Sequence, residues 1–156
     1  MQDYRNLEVW QRSMNYVVEI YRFTSSFPAD ERYNLVSQIR RASTSIPLNI
    51  AEGAGCDSKR EFARYLVYAY SSGNEVVTCL ELARRLGLCQ DGDITQALIE
   101  DGNRLCKMLY SLVKKLKATN NQKPKTNNQE PTTRNHKPST TNQQPSAMSY
   151  QLPARS

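Results

Sequence analysis

Four segments within residues 5–118 carry apolar residues at every third or fourth position, and this spacing limits the fold more than any other feature. It predicts helices over about residues 5–26, 30–54, 59–86 and 94–117. Each helix would have one apolar face, and the joints between them are short, so the faces are expected to pack together. The sequence therefore predicts an all-α, antiparallel up-down four-helix bundle over residues 1–118.

Local signals mark the first joint and an irregularity in the second helix. Phe27-Pro28 interrupts the first helix, and Asp30 and Glu31 then supply the negative charge that a helix N-terminus favours. The apolar phase continues past Pro47, although proline removes a backbone donor. A second helix with a kink at Pro47 is the prediction.

The third and fourth helices have capping and terminating signals. Ser58 and Glu61 have the spacing of a capping box. Gly87 is suited to the position just past the third helix, and residues 93–96 are predicted to cap the fourth. Gly73 lies in the middle of the third helix, where it lowers helix propensity, so a close approach of another helix is expected there.

Residues 119–156 are poor in apolar residues and are predicted to form a disordered low-complexity tail. Residues 119–146 contain four copies of a degenerate seven-residue repeat: TNNQKPK, TNNQEPT, TRNHKPS and TTNQQPS. The tail has five Lys and Arg against Glu130 alone, whereas residues 1–118 are nearly balanced, with sixteen Lys and Arg against fourteen Asp and Glu. The tail is either an electrostatic arm for nucleic acid or a tolerated extension, and the second interpretation is favoured.

The sequence predicts a cytoplasmic protein with no membrane partner. It contains no apolar run long enough to span a bilayer, and it begins without an apolar leader. Its four cysteines include no C-x-x-C pair, which is typical of reduced thiols in a reducing compartment. Cys79 and Cys106 fall within apolar helical patterns and are predicted to be core residues.

The distribution of reactive side chains argues against an enzyme. His136, in the predicted tail, is the only histidine, so the bundle lacks a histidine base and any histidine-containing metal set. The Glu-x-x-His pairs of di-metal bundles and the phosphate-binding G-x-x-x-x-G-K-[ST] loop are also absent from the sequence. No catalytic residue, metal or cofactor is predicted.

A polar stripe follows one face of the second helix. Its members are spaced three, four, four and three residues apart: Gln38, Arg41, Ser45, Asn49 and Glu52. Glu75 of the third helix is predicted to accept a hydrogen bond from Arg41. The stripe is interpreted as a seam with another helix or subunit, or as a partly buried network that sets the helix register. Binding of a phosphate by Arg41 is the less favoured alternative.

A second set of polar residues is basic and is the candidate nucleic-acid-binding surface, because Arg and Lys neutralise phosphates. Its members are Arg40, Lys59, Arg60, Arg64, Arg84 and Arg85. Tyr65 and Tyr68 are nearby in the sequence. On a helical bundle such residues are more often solvated or paired with carboxylates, so both interpretations stay open.

The ordered content of residues 5–117 resembles the bacterial four-helix bundle proteins, also called 23S rRNA intervening-sequence proteins. The segments that carry the resemblance are Leu7–Gln11, Phe27-Pro28 followed by Glu31, Gln38–Gly53, Glu61–Leu66 and Ser72–Glu75. The resemblance implies a homopentamer of antiparallel four-helix bundles. The family is similar to the accessory variability determinant of diversity-generating retroelements, a basic pentamer that binds nucleic acid and a reverse transcriptase.

Two departures limit what the resemblance implies. Ser71-Ser72 replaces the Gly-Ser usual in the family, and the repeat tail lies outside the family pattern. The leading hypothesis is a non-enzymatic, oligomeric accessory protein that binds RNA or DNA. The rival is a protein–protein scaffold or adaptor, for example an accessory subunit for a reverse transcriptase.

Overall fold

The computed structural model describes residues 3–89 and 91–120, which form a four-helix bundle. The helices are α1 (Glu8–Thr24), α2 (Leu35–Ala54), α3 (Lys59–Arg85) and α4 (Gly92–Asn120). Short 3-10 turns precede α1 and α2, at Tyr4–Asn6 and Ala29–Tyr33. The predicted all-α fold is confirmed. The predicted tail lies outside the described residues, except for Thr119 and Asn120, which continue α4.

The second helix starts later than predicted, because the acidic residues before it lie in a 3-10 turn. Asn34 has φ −102° and ψ −109°, which separates Ala29–Tyr33 from α2. The Glu31 carboxylate accepts a hydrogen bond from the Leu35 amide at 3.2 Å, so it satisfies a donor at the start of α2 from outside that helix. The helix then continues through Pro47, as predicted.

The ends of α3 follow the sequence signals closely. The Ser58 hydroxyl accepts from the Glu61 amide at 3.1 Å and caps α3 as predicted. Gly87 has φ +69°, and the amides of Gly87 and Leu88 donate to the carbonyls of Arg84 and Ala83, a Schellman ending.

The cap of α4 lies two residues before the predicted segment 93–96. The Asp91 carboxylate accepts from the amides of Asp93 and Ile94 at 2.9 and 3.1 Å. Asp91 takes this role because it immediately precedes the helix, whereas Asp93 is already inside it.

Consecutive helices pack against each other, and α1 also packs against α4, which closes the bundle. Gly73 lies where α3 meets α4: a Cβ at this position would fall 2.6 Å from the Cys106 sulfur. The predicted close approach at Gly73 is therefore confirmed. Cys106 is buried, as predicted, and Cys79 is half-buried.

The core consists mainly of aliphatic residues from all four helices, and the largest of those that are fully buried are Ile20, Ile39, Ile46, Ile50, Leu66, Leu80, Leu109 and Val76. Tyr16 joins this core from α1, and its hydroxyl donates to the Leu98 carbonyl of α4 at 3.1 Å. Burial raises the pKa of Tyr16 above its ordinary value, with smaller contributions from Cys106 and Asp101. None of the helices in the described part of the chain has the length and apolar character needed to cross a membrane.

Candidate nucleic-acid interface

The polar stripe of α2 faces α3, and the two helices are joined by three side-chain bridges that we call the α2–α3 seam. At one end, the Gln38 amide donates to the Glu75 carboxylate. In the middle, the Ser45 and Ser72 hydroxyls lie 3.0 Å apart. At the other end, the Tyr65 hydroxyl donates to Glu52 at 3.0 Å. The stripe was predicted to form a seam with another helix or subunit, and in the structure that helix is α3 of the same chain.

The remaining members of the stripe support these bridges from α2. The Asn49 amide donates to the carbonyl and the hydroxyl of Ser45, at 2.8 and 2.9 Å. Arg41 donates to Gln38, and Gln38 donates to Glu75. Gln38 therefore stands between Arg41 and Glu75, in place of the predicted direct bond from Arg41 to Glu75.

The bond to Glu52 also changes the chemistry of Tyr65. The hydrogen bond and the negative charge of Glu52 raise the pKa of the Tyr65 hydroxyl above its ordinary value. The shift extends the neutral, donating form of Tyr65 to higher pH. Its role in the structure is to bridge two helices.

Two apolar side chains lie on the outer side of the seam. Leu48 is 65% exposed and falls between the Ser45 and Glu52 bridges along α2. Tyr68 is 49% exposed and falls between the matching bridges along α3. The outer surface of the α2–α3 pair is therefore apolar at its middle, beside a polar network that is already satisfied within the chain.

Three of the six predicted basic residues lie together at the end of the bundle where α3 begins and α4 ends. Lys59, Arg60 and Arg64 line an open groove of about 920 Å³ with Lys117 of α4. We call this the basic groove. Its other lining residues are Ser58, Glu61, Ala63, Val67 and Leu116.

The basic groove combines free positive charge with an apolar floor. Within the described part of the chain, Lys59, Arg60, Arg64 and Lys117 form no ion pair with a carboxylate. The first turn of α3 adds the partial positive charge of a helix N-terminus. Glu61 opposes this charge, and its carboxylate accepts a hydrogen bond from Ser58 at 3.4 Å. The groove is therefore suited to attract an anion of extended charge.

The other three predicted basic residues lie near the opposite end of the bundle. Arg40 is half-buried, where its guanidinium donates to Thr24 at 2.8 Å and lies 4.7 Å from the centre of the Tyr21 ring. Arg84 pairs with Glu81 at 2.6 Å. Arg85 is exposed at the end of α3, about 37 Å along the helix axis from Arg60. The structure therefore divides the predicted set and does not bring it onto one surface.

Sequence reasoning missed the contribution of α4 to this end of the bundle. Lys117 completes the basic groove, and Lys114 lies with its ammonium 4.8 Å from the centre of the Tyr110 ring. Tyr110 in turn lies 6.1 Å from Tyr70 of α3, ring centre to ring centre. The sequence does contain a clue to this placement. Because α3 and α4 are predicted to be antiparallel and joined by a short turn, the end of α4 must lie beside the start of α3.

The described residues contain no group of three or more His, Cys, Asp or Glu side chains arranged to hold a metal ion. Several carboxylates form exposed pairs along their own helices, such as Glu8 with Arg12, Glu19 with Arg22 and Asp101 with Arg104. Exposed pairs of this kind contribute little to stability. They do pair the charges of Arg12, Arg22 and Arg104 with carboxylates.

A sequence model described as the 23S rRNA-intervening sequence protein matches residues 5–111. The chain is also similar to the solved structure of a protein with unknown function from the S23 ribosomal protein family of Bacteroides thetaiotaomicron VPI-5482. That structure has 28% sequence identity and a TM-score of 0.61, and the match covers 68% of this chain and 98% of the other. The curated proteins include no significant match. Neither description names an enzymatic activity.

Proposed function

The chain belongs to the 23S rRNA-intervening sequence protein family, and from that premise we propose that it is a non-enzymatic, oligomeric accessory protein that binds RNA or DNA. The observation that carries the proposal is the basic groove, where Lys59, Arg60, Arg64 and Lys117 converge without carboxylate partners among the described residues. The phosphate backbone is the part of the ligand that these four residues contact.

The chemistry of the groove favours phosphate binding over base recognition. Its four cationic side chains are exposed, and the apolar floor offers Val67 and Leu116 but few fixed hydrogen-bonding groups. Base-specific recognition needs donors and acceptors held in place, whereas phosphate contacts need only positive charge. The expected binding is therefore independent of sequence and strongly dependent on salt.

The proposal is tested by replacing Lys59, Arg60, Arg64 and Lys117 together with Gln, which keeps helix propensity and removes four charges. Affinity for a labelled oligonucleotide is measured by fluorescence anisotropy over a range of salt concentrations. Removing one cation that neutralises a phosphate of a single strand lowers the slope of log affinity against log salt by about 0.7. The quadruple variant is expected to lower the slope by roughly 2–3 and to bind more weakly at low salt.

A matched control removes the same charge from residues that are already paired. Its four replacements by Gln are at Arg12, Arg22, Arg84 and Arg104, each of which has a carboxylate partner. The control is expected to keep most of the affinity. If the two variants lose the same affinity, the loss is due to net charge and not to the groove. A wild-type protein that binds equally weakly at low and physiological salt would refute nucleic-acid binding.

We propose in addition that the outer surface of the α2–α3 pair mediates self-association into the homopentamer implied by the family resemblance. Leu48 and Tyr68 support this because they expose apolar area on a face whose polar groups are already paired. Replacing both with Ser is expected to reduce the mass measured by light scattering. Tyr33, which is 86% exposed in the Ala29–Tyr33 turn, provides the control substitution by Ser. A wild-type monomer at micromolar concentration would overturn this proposal.

The second candidate function is a scaffold or adaptor that captures a protein partner such as a reverse transcriptase. The exposed Leu48 and Tyr68 favour it as much as self-association, because an apolar face serves either kind of partner. The two functions separate in the quadruple groove variant. If the protein is an adaptor, the groove variant still co-purifies with its protein partner although it no longer binds nucleic acid. If the partner is instead held through the nucleic acid, the variant loses the partner together with the nucleic acid.

A further inference from the structure

We propose that the nucleic acid bound at the basic groove is single-stranded and that Tyr110 provides a platform on which one base stacks. This inference rests on the proposed function and adds the class of ligand and a new contact residue. It starts from the position of Tyr110 on α4, two helical turns before Lys117, which corresponds to about 10 Å along the helix axis.

Tyr110 combines an exposed position with aromatic and cationic neighbours. The residue is 51% exposed, comparable with Tyr68 at 49%, whereas Tyr16 is buried. Tyr110 lies at a tilt of 41° against Tyr70, which is half-buried and supports it from α3. One aromatic ring thus stands partly free on the α3–α4 surface, on the same pair of helices that forms the groove.

The cations and the ring form a continuous path along α4. Lys117 lies in the groove, and Lys114 comes one turn closer to Tyr110, with its ammonium over the ring. The Lys114 side chain is long and flexible, so its ammonium moves from the ring to a phosphate when a base takes its place over the tyrosine. A strand that follows the groove therefore meets charge first and then an aromatic face, the combination found in single-strand binding sites.

A duplex does not satisfy this arrangement. Its bases are stacked on one another and its outer surface presents phosphates and sugars, so Tyr110 would find no free base face. The groove charges by themselves are compatible with either form. Tyr110 is the feature that favours the single strand.

The test compares Tyr110→Ala and Tyr110→Phe in the full-length protein. Three labelled probes are used in anisotropy titrations at low salt: a single-stranded RNA of about 12 nucleotides, its duplex, and an abasic strand of equal length. Removing the ring on which a base stacks weakens binding by about 5-fold or more, so Tyr110→Ala is expected to do this for the single strand alone. Tyr110→Phe keeps the ring face and is expected to stay within about 2-fold of the wild type.

Tyr33→Ala serves as the control for removal of an exposed tyrosine away from the groove, and circular dichroism verifies that each variant keeps its helices. The inference is overturned if Tyr110→Ala leaves the affinity for the single strand unchanged. It is also overturned if this substitution weakens binding of the abasic strand and the duplex as much as binding of the single strand, or if the wild type prefers the duplex. If the wild type binds none of the three probes, or the quadruple groove variant binds them all normally, the proposed function itself fails.

Discussion

A Gly102→Ala substitution should destabilise the bundle, although alanine is the better helix former. Gly102 is buried on α4, and a Cβ there would fall 2.6 Å from the Tyr16 hydroxyl oxygen and 2.7 Å from Cγ2 of Val77. Both neighbours are held within the bundle, and the Tyr16 hydroxyl is bonded to the Leu98 carbonyl. The added methyl group therefore has to displace Tyr16, Val77 or α4 itself.

The magnitude follows from three terms. Helix propensity contributes about 1 kcal/mol in favour of alanine. Overpacking in a filled core costs about 1–3 kcal/mol. Displacing the Tyr16 hydroxyl from Leu98 leaves a buried polar group unpaired and costs about a further 1–3 kcal/mol. The free energy of unfolding should therefore fall by about 1–5 kcal/mol.

Urea denaturation followed by circular dichroism, at one fixed protein concentration, measures this change. Tyr16→Phe removes the oxygen that the methyl group meets first, so Gly102→Ala should cost at least about 1 kcal/mol less in that background. Gly92 has nothing within 4 Å of an added Cβ, and Gly92→Ala is the control without a steric penalty. If Gly102→Ala is as stable as the wild type, or if its cost is the same in the Tyr16→Phe background, the steric account of Gly102 is wrong.

Three further predictions concern capping, pH and thiol reactivity. Asp91→Ala should lower the free energy of unfolding by about 1 kcal/mol, and Asp93→Ala by less, since only Asp91 caps α4; urea denaturation of both tests this. Burial raises the pKa of Tyr16 above 10.0 and that of Cys106 from 9.0 to about 11, so folding holds protons that the unfolded chain releases, and stability should fall as pH rises above about 9. Tyr16→Phe should flatten that fall above pH 10 in denaturation series; an unchanged slope would contradict it. Iodoacetamide at pH 8 should modify half-buried Cys56 before Cys106, as read by mass spectrometry; equal rates would show that Cys106 is open to solvent.

Features that depend on local sequence could be predicted, and so could the side chains that produce them. The helix period, the Ser58 cap and the left-handed Gly87 each follow from a few adjacent residues, and the structure has all of them. The predicted start of α2 is too early because Asp30 and Glu31 are equally suited to a 3-10 turn. Local charge therefore indicates a helix start without distinguishing the type of helix.

Features that depend on how helices are aligned could not be predicted from local patterns. The seam required knowing that Ser45 meets Ser72 and that Gln38 comes between Arg41 and Glu75. Gly102 carried no signal of its own, because a buried glycine and an exposed one look alike until the side chain that fills its space is known.

The candidate basic residues could be chosen from the sequence by their charge. Charge alone does not say which of them lie together in the folded protein. Arg40 and Arg84 belong to the same predicted set as Arg60, yet Arg40 is half-buried and donates to Thr24, and Arg84 pairs with Glu81. Lys117 is absent from that set because a lysine near a helix C-terminus is equally well explained by the dipole of its own helix. Its role at the groove depends on α3, which lies far from it in sequence.

The length of α3 has an electrostatic consequence. Twenty-seven residues extend over about 40 Å, whereas the Debye length at physiological ionic strength is about 8 Å. A phosphate held by Arg60 is therefore shielded by dissolved ions from Arg85 at the far end. The overall charge of the protein thus says little about its affinity for a polyanion, because only cations within roughly one Debye length of the ligand attract it.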